Sequence, residues 1–303
     1  MKYSTLPWVL LIGMSCYLAC SNSQEPSSNE PPKTSTTTKD IRIENEGVLI
    51  NYKSDGQGPY TVLFVHGWCI DQSYWADQME TLRSDYRVVT LDLPGFGTSG
   101  KNRSDWTMEA YGADIKALIN QLQLDKVILV GHSMGGNVIL EAALDNDKVI
   151  ALIGVDNFKD VGMDYGENVE AEMAEFLRLL EENFAEVAPA YAEGNLFHPS
   201  TDSLAKARVI EDFRTADPQT AFASLKGLFD YAAVEPQRLS QVQQPLYLIN
   251  SSATPSYKEG LDATGVQYEI IDIDSTGHYP MIEKPMVFND LLKKTLQKIT
   301  ATE

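Results

Sequence analysis

One short segment near the middle of the chain carries a serine in a setting suited to nucleophilic chemistry. Residues 131–135, GHSMG, have the form G-x-S-x-G and lie between an apolar run ending at Val130 and a helix-forming segment beginning near Met134. On a sharp strand-to-helix turn, flanking glycines avoid Cβ clashes and the helix N-terminus favours negative charge on the serine oxygen. This context predicts that Ser133 is a nucleophile.

A serine nucleophile needs a base, and the chain offers four histidines for that role. Only His278 follows the last predicted strand. A neutral imidazole can accept the serine proton near neutral pH. We therefore predict that His278 is the base and that His198 is a surface residue.

The segments that must position these residues alternate between strand and helix patterns. Residues 41–43 and 48–52 predict a β-hairpin. Short apolar runs at 61–65, 87–91, 126–130 and 149–155 are separated by amphipathic stretches, and two more strands are predicted at 245–250 and 266–271. Strands of this kind are buried on both faces of a sheet. The pattern predicts an α/β fold with a mostly parallel sheet and helices on both faces.

The strand pattern stops between residues 158 and 239, where helix-forming residues predominate. We interpret this segment as an inserted helical cap that divides a core of residues 41–157 and 240–303. The start of the cap is rich in carboxylates, which favours a solvated outer face.

Four motifs together resemble the α/β-hydrolase family, from about Ile41 to the last helix. They are the serine segment, residues 65–68 (VHGW), residues 92–99 (DLPGFGTS) and residues 277–285 (GHYPMIEKP). The resemblance implies a nucleophile elbow at Ser133, a catalytic-histidine loop at His278 and an oxyanion hole formed by the backbone N–H groups of Trp68 and Met134. It also implies that His66 orients its loop and that His132 packs inside the serine turn.

The triad acid departs from the common family pattern. Family enzymes most often supply it from the loop after the strand that here is residues 245–250, yet residues 250–258 contain no carboxylate. Some members place it at the end of the preceding strand, where this chain has Asp156. We predict Asp156 as the acid, with Asp274 and Asp160 as alternatives.

Composition restricts the partners of the protein. The formal net charge of −19 opposes binding to nucleic acid. No histidine pair has metal-ligand spacing with an accompanying carboxylate, so we predict no metal site, and no organic cofactor is implied. Cys69 lies beside an apolar strand and is expected to be inert. The sequence does not indicate an oligomeric state.

The first forty residues predict export and anchoring. Residues 1–20 resemble a bacterial lipoprotein signal, with Cys20 as the lipidated residue and Cys16 as the alternative. Residues 21–40 contain no aliphatic or aromatic side chain and read as a disordered tether. We expect an exported protein that contacts a bacterial membrane only through this lipid anchor, on the periplasmic or cell-surface face.

These features predict a serine hydrolase that cleaves small or medium carboxylic esters through an acyl-enzyme. Epoxide hydrolases and haloalkane dehalogenases of the same fold carry aspartate at the elbow, so Ser133 argues against both. The alternatives are amide, carbon–carbon or peroxide chemistry on the same triad, or a non-catalytic protein that binds a ligand beneath the cap.

Overall fold

A computed structural model describes residues 41–302, so the predicted signal, lipid acceptor and tether lie outside the described residues. Eight strands form one sheet with the order β1-β2-β4-β3-β5-β6-β7-β8. The strands are β1 (Ile41–Asn45), β2 (Val48–Asp55), β3 (Thr61–Val65), β4 (Arg87–Leu91), β5 (Val127–His132), β6 (Val149–Val155), β7 (Leu246–Ser251) and β8 (Tyr268–Ile273).

β2 is the one strand of this sheet that runs opposite to its neighbours. β1 pairs antiparallel with β2, and β2 pairs antiparallel with β4, whereas all later neighbours are parallel. The predicted hairpin and the mostly parallel sheet are therefore confirmed. Every residue of β3 and β5 is buried, which explains why these strands read as continuous apolar runs.

Eleven helices accompany the sheet within residues 41–302. A 3-10 turn, Gln72–Trp75, precedes the first of them. The helices are α1 (Ala76–Leu82), α2 (Met108–Gln121), α3 (Met134–Ala143), α4 (Glu167–Glu182), α5 (Phe184–Asn195), α6 (Ser203–Thr215), α7 (Pro218–Tyr231), α8 (Glu235–Leu239), α9 (Lys258–Thr264), α10 (Pro280–Glu283) and α11 (Pro285–Ala301). Outside the sheet, α2 packs on α3 and α1 packs on α11.

Local sequence determines where several helices begin. The side chain of Asp202 accepts a hydrogen bond from Leu204 N at 2.8 Å at the start of α6, and Asp217 accepts one from Thr220 N at 2.9 Å at the start of α7. Pro218 follows as the first residue of α7, where its missing N–H costs no helical hydrogen bond.

Five helices, α4 to α8, lie between β6 and β7 within the segment predicted as the cap. Side-chain and backbone hydrogen bonds join them to the core at separate points. Trp68 Nε1 donates to Ala221 O at 2.8 Å, Tyr74 Oη donates to Asp212 Oδ2 at 2.6 Å, and His278 N donates to Leu196 O at 2.8 Å. The helical segment is thus fixed to the loops that carry the predicted chemistry.

Candidate active site

Ser133 occupies a strained turn between β5 and α3. Its backbone has φ 51° and ψ −126°, an unusual conformation for a residue with a Cβ. The neighbouring glycines are needed because the chain folds back closely: a Cβ on Gly131 would lie 2.3 Å from Gly135 O, and a Cβ on Gly135 would lie 2.6 Å from Val65 O. The turn places Ser133 on the wall of a pocket.

His278 and Asp156 form a buried pair beside that serine. His278 Nδ1 lies 2.7 Å from Asp156 Oδ2, and both residues line the same pocket as Ser133. Asp156 follows β6 directly, and β6 lies between β5 and β7 in the sheet. The carboxyl ends of parallel strands meet at one edge, which brings a serine after β5 and a carboxylate after β6 together.

The Asp156 carboxylate is also bound on its other oxygen. Oδ1 lies 2.6 Å from Lys159 Nζ and accepts a hydrogen bond from Ser251 N at 2.9 Å. Burial by itself would raise the pKa of Asp156, but the positive charge of Lys159 and the contact with His278 outweigh it and lower that pKa to about 2. Asp156 is therefore ionised at neutral pH.

The alternative acids lie elsewhere. Asp274 is exposed and accepts a hydrogen bond from Ser252 Oγ at 2.6 Å. Asp160 lines the pocket and binds the hydroxyl of Tyr165. Asp156 is the carboxylate that contacts the imidazole of His278, with Oδ2 2.7 Å from Nδ1.

The two residues predicted to form the oxyanion hole come from different elements and line the same pocket as Ser133. Met134 is the first residue of α3, so its N–H has no acceptor within the helix. Trp68 follows β3, and its indole packs edge-to-face on Phe213 with ring centroids 5.1 Å apart. Both residues line the pocket with Ser133, as a pair of donors to a carbonyl oxygen would.

The pocket has a volume of about 210 Å³ and two chemically distinct parts. Aromatic and aliphatic side chains from the helices between β6 and β7 form one part of its wall, among them Phe176, Leu228 and Phe229. The polar part contains Asn137 and Glu235. The side-chain amide of Asn137 donates a hydrogen bond to Glu235 Oε1 at 2.5 Å. Burial, with the nearby charge of Asp160, raises the pKa of Glu235 to about 8, so this carboxyl is largely protonated at neutral pH.

The model of the alpha/beta hydrolase family matches residues 62–291 of the chain. The protein belongs to this family. The matched range contains the serine turn, the carboxylate after β6 and the histidine loop.

Individual relatives share parts of this similarity. A dihydrolipoyllysine-residue acetyltransferase component of the acetoin cleaving system from Cupriavidus necator is 34% identical over 33% of this chain, but the match spans only 27% of that relative. The karrikin insensitive 2 receptor IA of Petunia hybrida is 27% identical over 79% of this chain and 91% of its own length. A solved thermophilic esterase from Thermogutta terrifontis is 26% identical with a TM-score of 0.73, over 86% of this chain and 99% of that one.

Two histidines of this family member have structural positions. His66 is fully buried and joins two motif loops: Leu93 N donates to its Nε2 at 2.9 Å, and its Nδ1 lies 2.8 Å from Gly67 O. Because Nε2 accepts, the neutral tautomer carries its proton on Nδ1. Burial lowers the pKa of His66, which favours that neutral form.

His132 is buried within the serine turn, as predicted, with Nε2 2.7 Å from His278 O. Burial and the adjacent His278 lower the pKa of His132 to about 3. His198 is only partly buried and contacts Ser200. Neither lies where it could replace His278 beside Asp156.

The sequence interpretation missed Lys159 and the polar part of the pocket. A lysine three residues after a predicted triad acid was a usable signal, because Asp156 and Lys159 share a short loop. Glu235 gave no such signal, since it reaches the pocket from the distant helix α8.

Cys69 is buried with a free thiol, and burial raises its pKa well above the usual value. Among residues 41–302, no three His, Cys, Asp or Glu side chains are grouped so that they could hold a metal ion. Across the same range, every helix is too short or too polar to cross a membrane.

Proposed function

We propose that this protein is a serine hydrolase that cleaves carboxylic esters of small or medium size. The observation that carries the proposal is the 2.7 Å contact between His278 Nδ1 and Asp156 Oδ2, made in the same pocket as the strained Ser133. Buried His–carboxylate pairs of this kind hold an imidazole in the tautomer that accepts a serine proton.

The reaction has two acyl-transfer steps. Ser133 Oγ attacks the ester carbonyl carbon while its proton passes to His278 Nε2, and the N–H groups of Trp68 and Met134 bind the developing oxyanion. The tetrahedral intermediate collapses, and His278 donates the proton to the departing alcohol. A water molecule then attacks the acyl-enzyme with His278 as base, which releases the acid and restores the Ser133 hydroxyl.

The size and lining of the pocket support the substrate class. About 210 Å³ bordered by aromatic and aliphatic side chains suits a compact apolar acyl group. In a series of p-nitrophenyl esters graded by acyl length, we expect the highest kcat/KM for short or medium chains. A monotonic increase toward long chains would contradict this substrate class.

A fluorophosphonate probe tests the nucleophile directly. We expect the folded protein to be labelled on the peptide that contains Ser133, and Ser133→Ala to lose both labelling and ester hydrolysis while keeping its circular dichroism spectrum. Ser240→Ala, which removes an exposed hydroxyl, is the matched control and should label normally.

A second candidate function is ligand binding without turnover. It is favoured by the similarity to the petunia karrikin insensitive 2 receptor, which extends over 79% of this chain. A folded protein that neither reacts with the probe nor hydrolyses any ester of the series would support this alternative and overturn the hydrolase proposal.

We further propose that the protein is exported and anchored by a lipid on Cys20, with Cys16 as the alternative acceptor. Both residues lie outside the described range, so the proposal rests on the sequence pattern. Mass spectrometry of the mature N-terminus from membrane-derived protein tests it. An unmodified Cys20 would refute the assignment to that cysteine.

A further inference from the structure

Lys159 is a buried cation in direct contact with the carboxylate that holds His278. Its side chain is 6% exposed, and Nζ lies 2.6 Å from Asp156 Oδ1. Nζ also donates a hydrogen bond to Ser251 O at 2.9 Å. A buried lysine is rare in proteins, and here its charge is directed at the proposed triad acid rather than at solvent.

The two oxygens of Asp156 therefore have different partners. Oδ2 contacts the imidazole of His278, whereas Oδ1 contacts Lys159 and the backbone N–H of Ser251. This arrangement holds both oxygens of the carboxylate. The plane of the carboxylate and its distance to His278 are therefore determined by β6, by β7 and by the loop between Asp156 and Lys159. The backbone of that loop is held as well, because Tyr257 N donates to Lys159 O at 2.6 Å.

The charge of Lys159 also affects proton transfer. When His278 accepts the proton of Ser133, the imidazolium is stabilised by the negative charge of Asp156. A cation 2.6 Å from the same carboxylate partly neutralises that charge and so limits how tightly the imidazolium retains its proton. It also keeps the carboxylate ionised in a buried site.

We propose that Lys159 is a positioning residue that acts through Asp156 to set the pH range over which His278 works as a base. This inference rests on the proposed hydrolase function. Other titratable groups contribute to the electrostatic field around His278 and Asp156. The ring centroids of His132 and Tyr279 lie 4.7 Å and 5.2 Å from that of His278. The wall of the shared pocket also carries Asp160, Tyr165, Tyr191 and Glu235.

The test is the pH profile of kcat/KM for a p-nitrophenyl ester in Lys159→Met. Methionine keeps an unbranched apolar stem but removes the charge. We expect the midpoint of the acid limb to move to higher pH by about one unit, because the unneutralised carboxylate holds the imidazolium proton more tightly and is itself protonated more readily. We also expect kcat to fall about tenfold or more, because the carboxylate is less rigidly held.

Two further variants separate this role from a structural one. Lys159→Arg keeps the positive charge and should return the acid limb toward its wild-type position even if the maximal rate stays low. Lys298→Met removes a lysine paired with Glu269 on the surface and should leave the whole profile unchanged.

Because stability itself depends on pH, circular dichroism at each pH gives the folded fraction, and the midpoint is compared after the rates are corrected for that fraction. Lys159→Gln, which retains a hydrogen-bond donor without charge, gives the same measurement if the methionine variant does not accumulate. If the wild type is active and the acid limb does not move in Lys159→Met or Lys159→Gln, the proposal for Lys159 is overturned. Absence of hydrolysis and of probe labelling in the wild type would instead overturn the proposed function.

Discussion

At the scale of single residues, the site depends on a carboxylate with several partners. Asp156 has no solvent-exposed side-chain surface and contacts His278, Lys159 and the Ser251 N–H. A group in this position is sensitive to changes that leave its shape intact, because its partners require an acceptor on both oxygens.

Asp156→Asn tests this dependence with almost no change in volume. The amide cannot accept a hydrogen bond through its NH₂ group and would favour the wrong tautomer of His278. We expect kcat/KM to fall by several orders of magnitude, on the order of 10⁴-fold, in a steady-state ester assay.

Asp274→Asn is the matched control, since Asp274 is exposed and bonded to Ser252. It should retain nearly all activity. If Asp274→Asn abolished turnover and Asp156→Asn did not, the assignment of the acid would be wrong.

At the scale of elements, the helical segment between β6 and β7 is part of the histidine loop's support. His278 N donates to Leu196 O just after α5, and Gly277 packs against the same stretch of chain. A Cβ on Gly277 would lie 2.5 Å from Leu196 O and 2.6 Å from His198 N. Both contacts are with backbone, which cannot move aside as a flexible side chain could.

Gly277→Ala should therefore displace the loop that carries His278. We expect kcat/KM to fall more than tenfold, because small misplacement of a proton acceptor is costly, and the free energy of unfolding to fall by about 1–3 kcal/mol from overpacking. Ester kinetics and urea denaturation measure the two effects.

Gly194→Ala supplies the control within the neighbouring helix. A Cβ there meets no atom within 4 Å, so we expect unchanged kinetics and a gain in stability of up to about 1 kcal/mol. Wild-type activity in Gly277→Ala would contradict the proposed support of the loop.

At the scale of the whole molecule, buried histidines link folding to pH. Burial and the neighbouring His278 lower the pKa of His132 to about 3 in the folded protein, against an ordinary value of 6.5. Between these two pH values the unfolded chain binds a proton at His132 that the folded protein does not. Stability contributed by the neutral form is complete above about pH 6.5 and is lost as pH falls toward 3.

Replacing His132 with glutamine removes this linkage. Between pH 6 and 4 we expect the free energy of unfolding of the wild type to decrease more steeply than that of His132→Gln, by about 1.4 kcal/mol per pH unit. Urea denaturation at several pH values measures both slopes. The matched control is His198→Gln, which changes a partly buried histidine outside the serine turn. Equal slopes for the wild type and His132→Gln would contradict the linkage.

The amino-acid sequence alone predicted the features that are determined locally. Continuous apolar runs predicted the four strands β3 to β6, because a strand buried on both faces must be apolar throughout, and alternation predicted the hairpin. Strand, turn and helix follow one another directly around Ser133, so its strained turn could be recognised from adjacent residues. His278 could be selected because it follows the last strand.

Only the tertiary structure decided how distant residues meet. Asp156 and His278 are 122 positions apart, and their contact depends on β6, β7 and β8 lying side by side in parallel, so that the loops after β6 and β8 meet at the carboxyl ends of the strands. The same holds for Lys159, whose charge reaches Asp156 only because the intervening loop is folded tightly, and for Glu235, which α8 brings to the pocket. Local patterns specify backbone conformation, whereas the environment of a charge depends on side chains that approach from elsewhere in the chain.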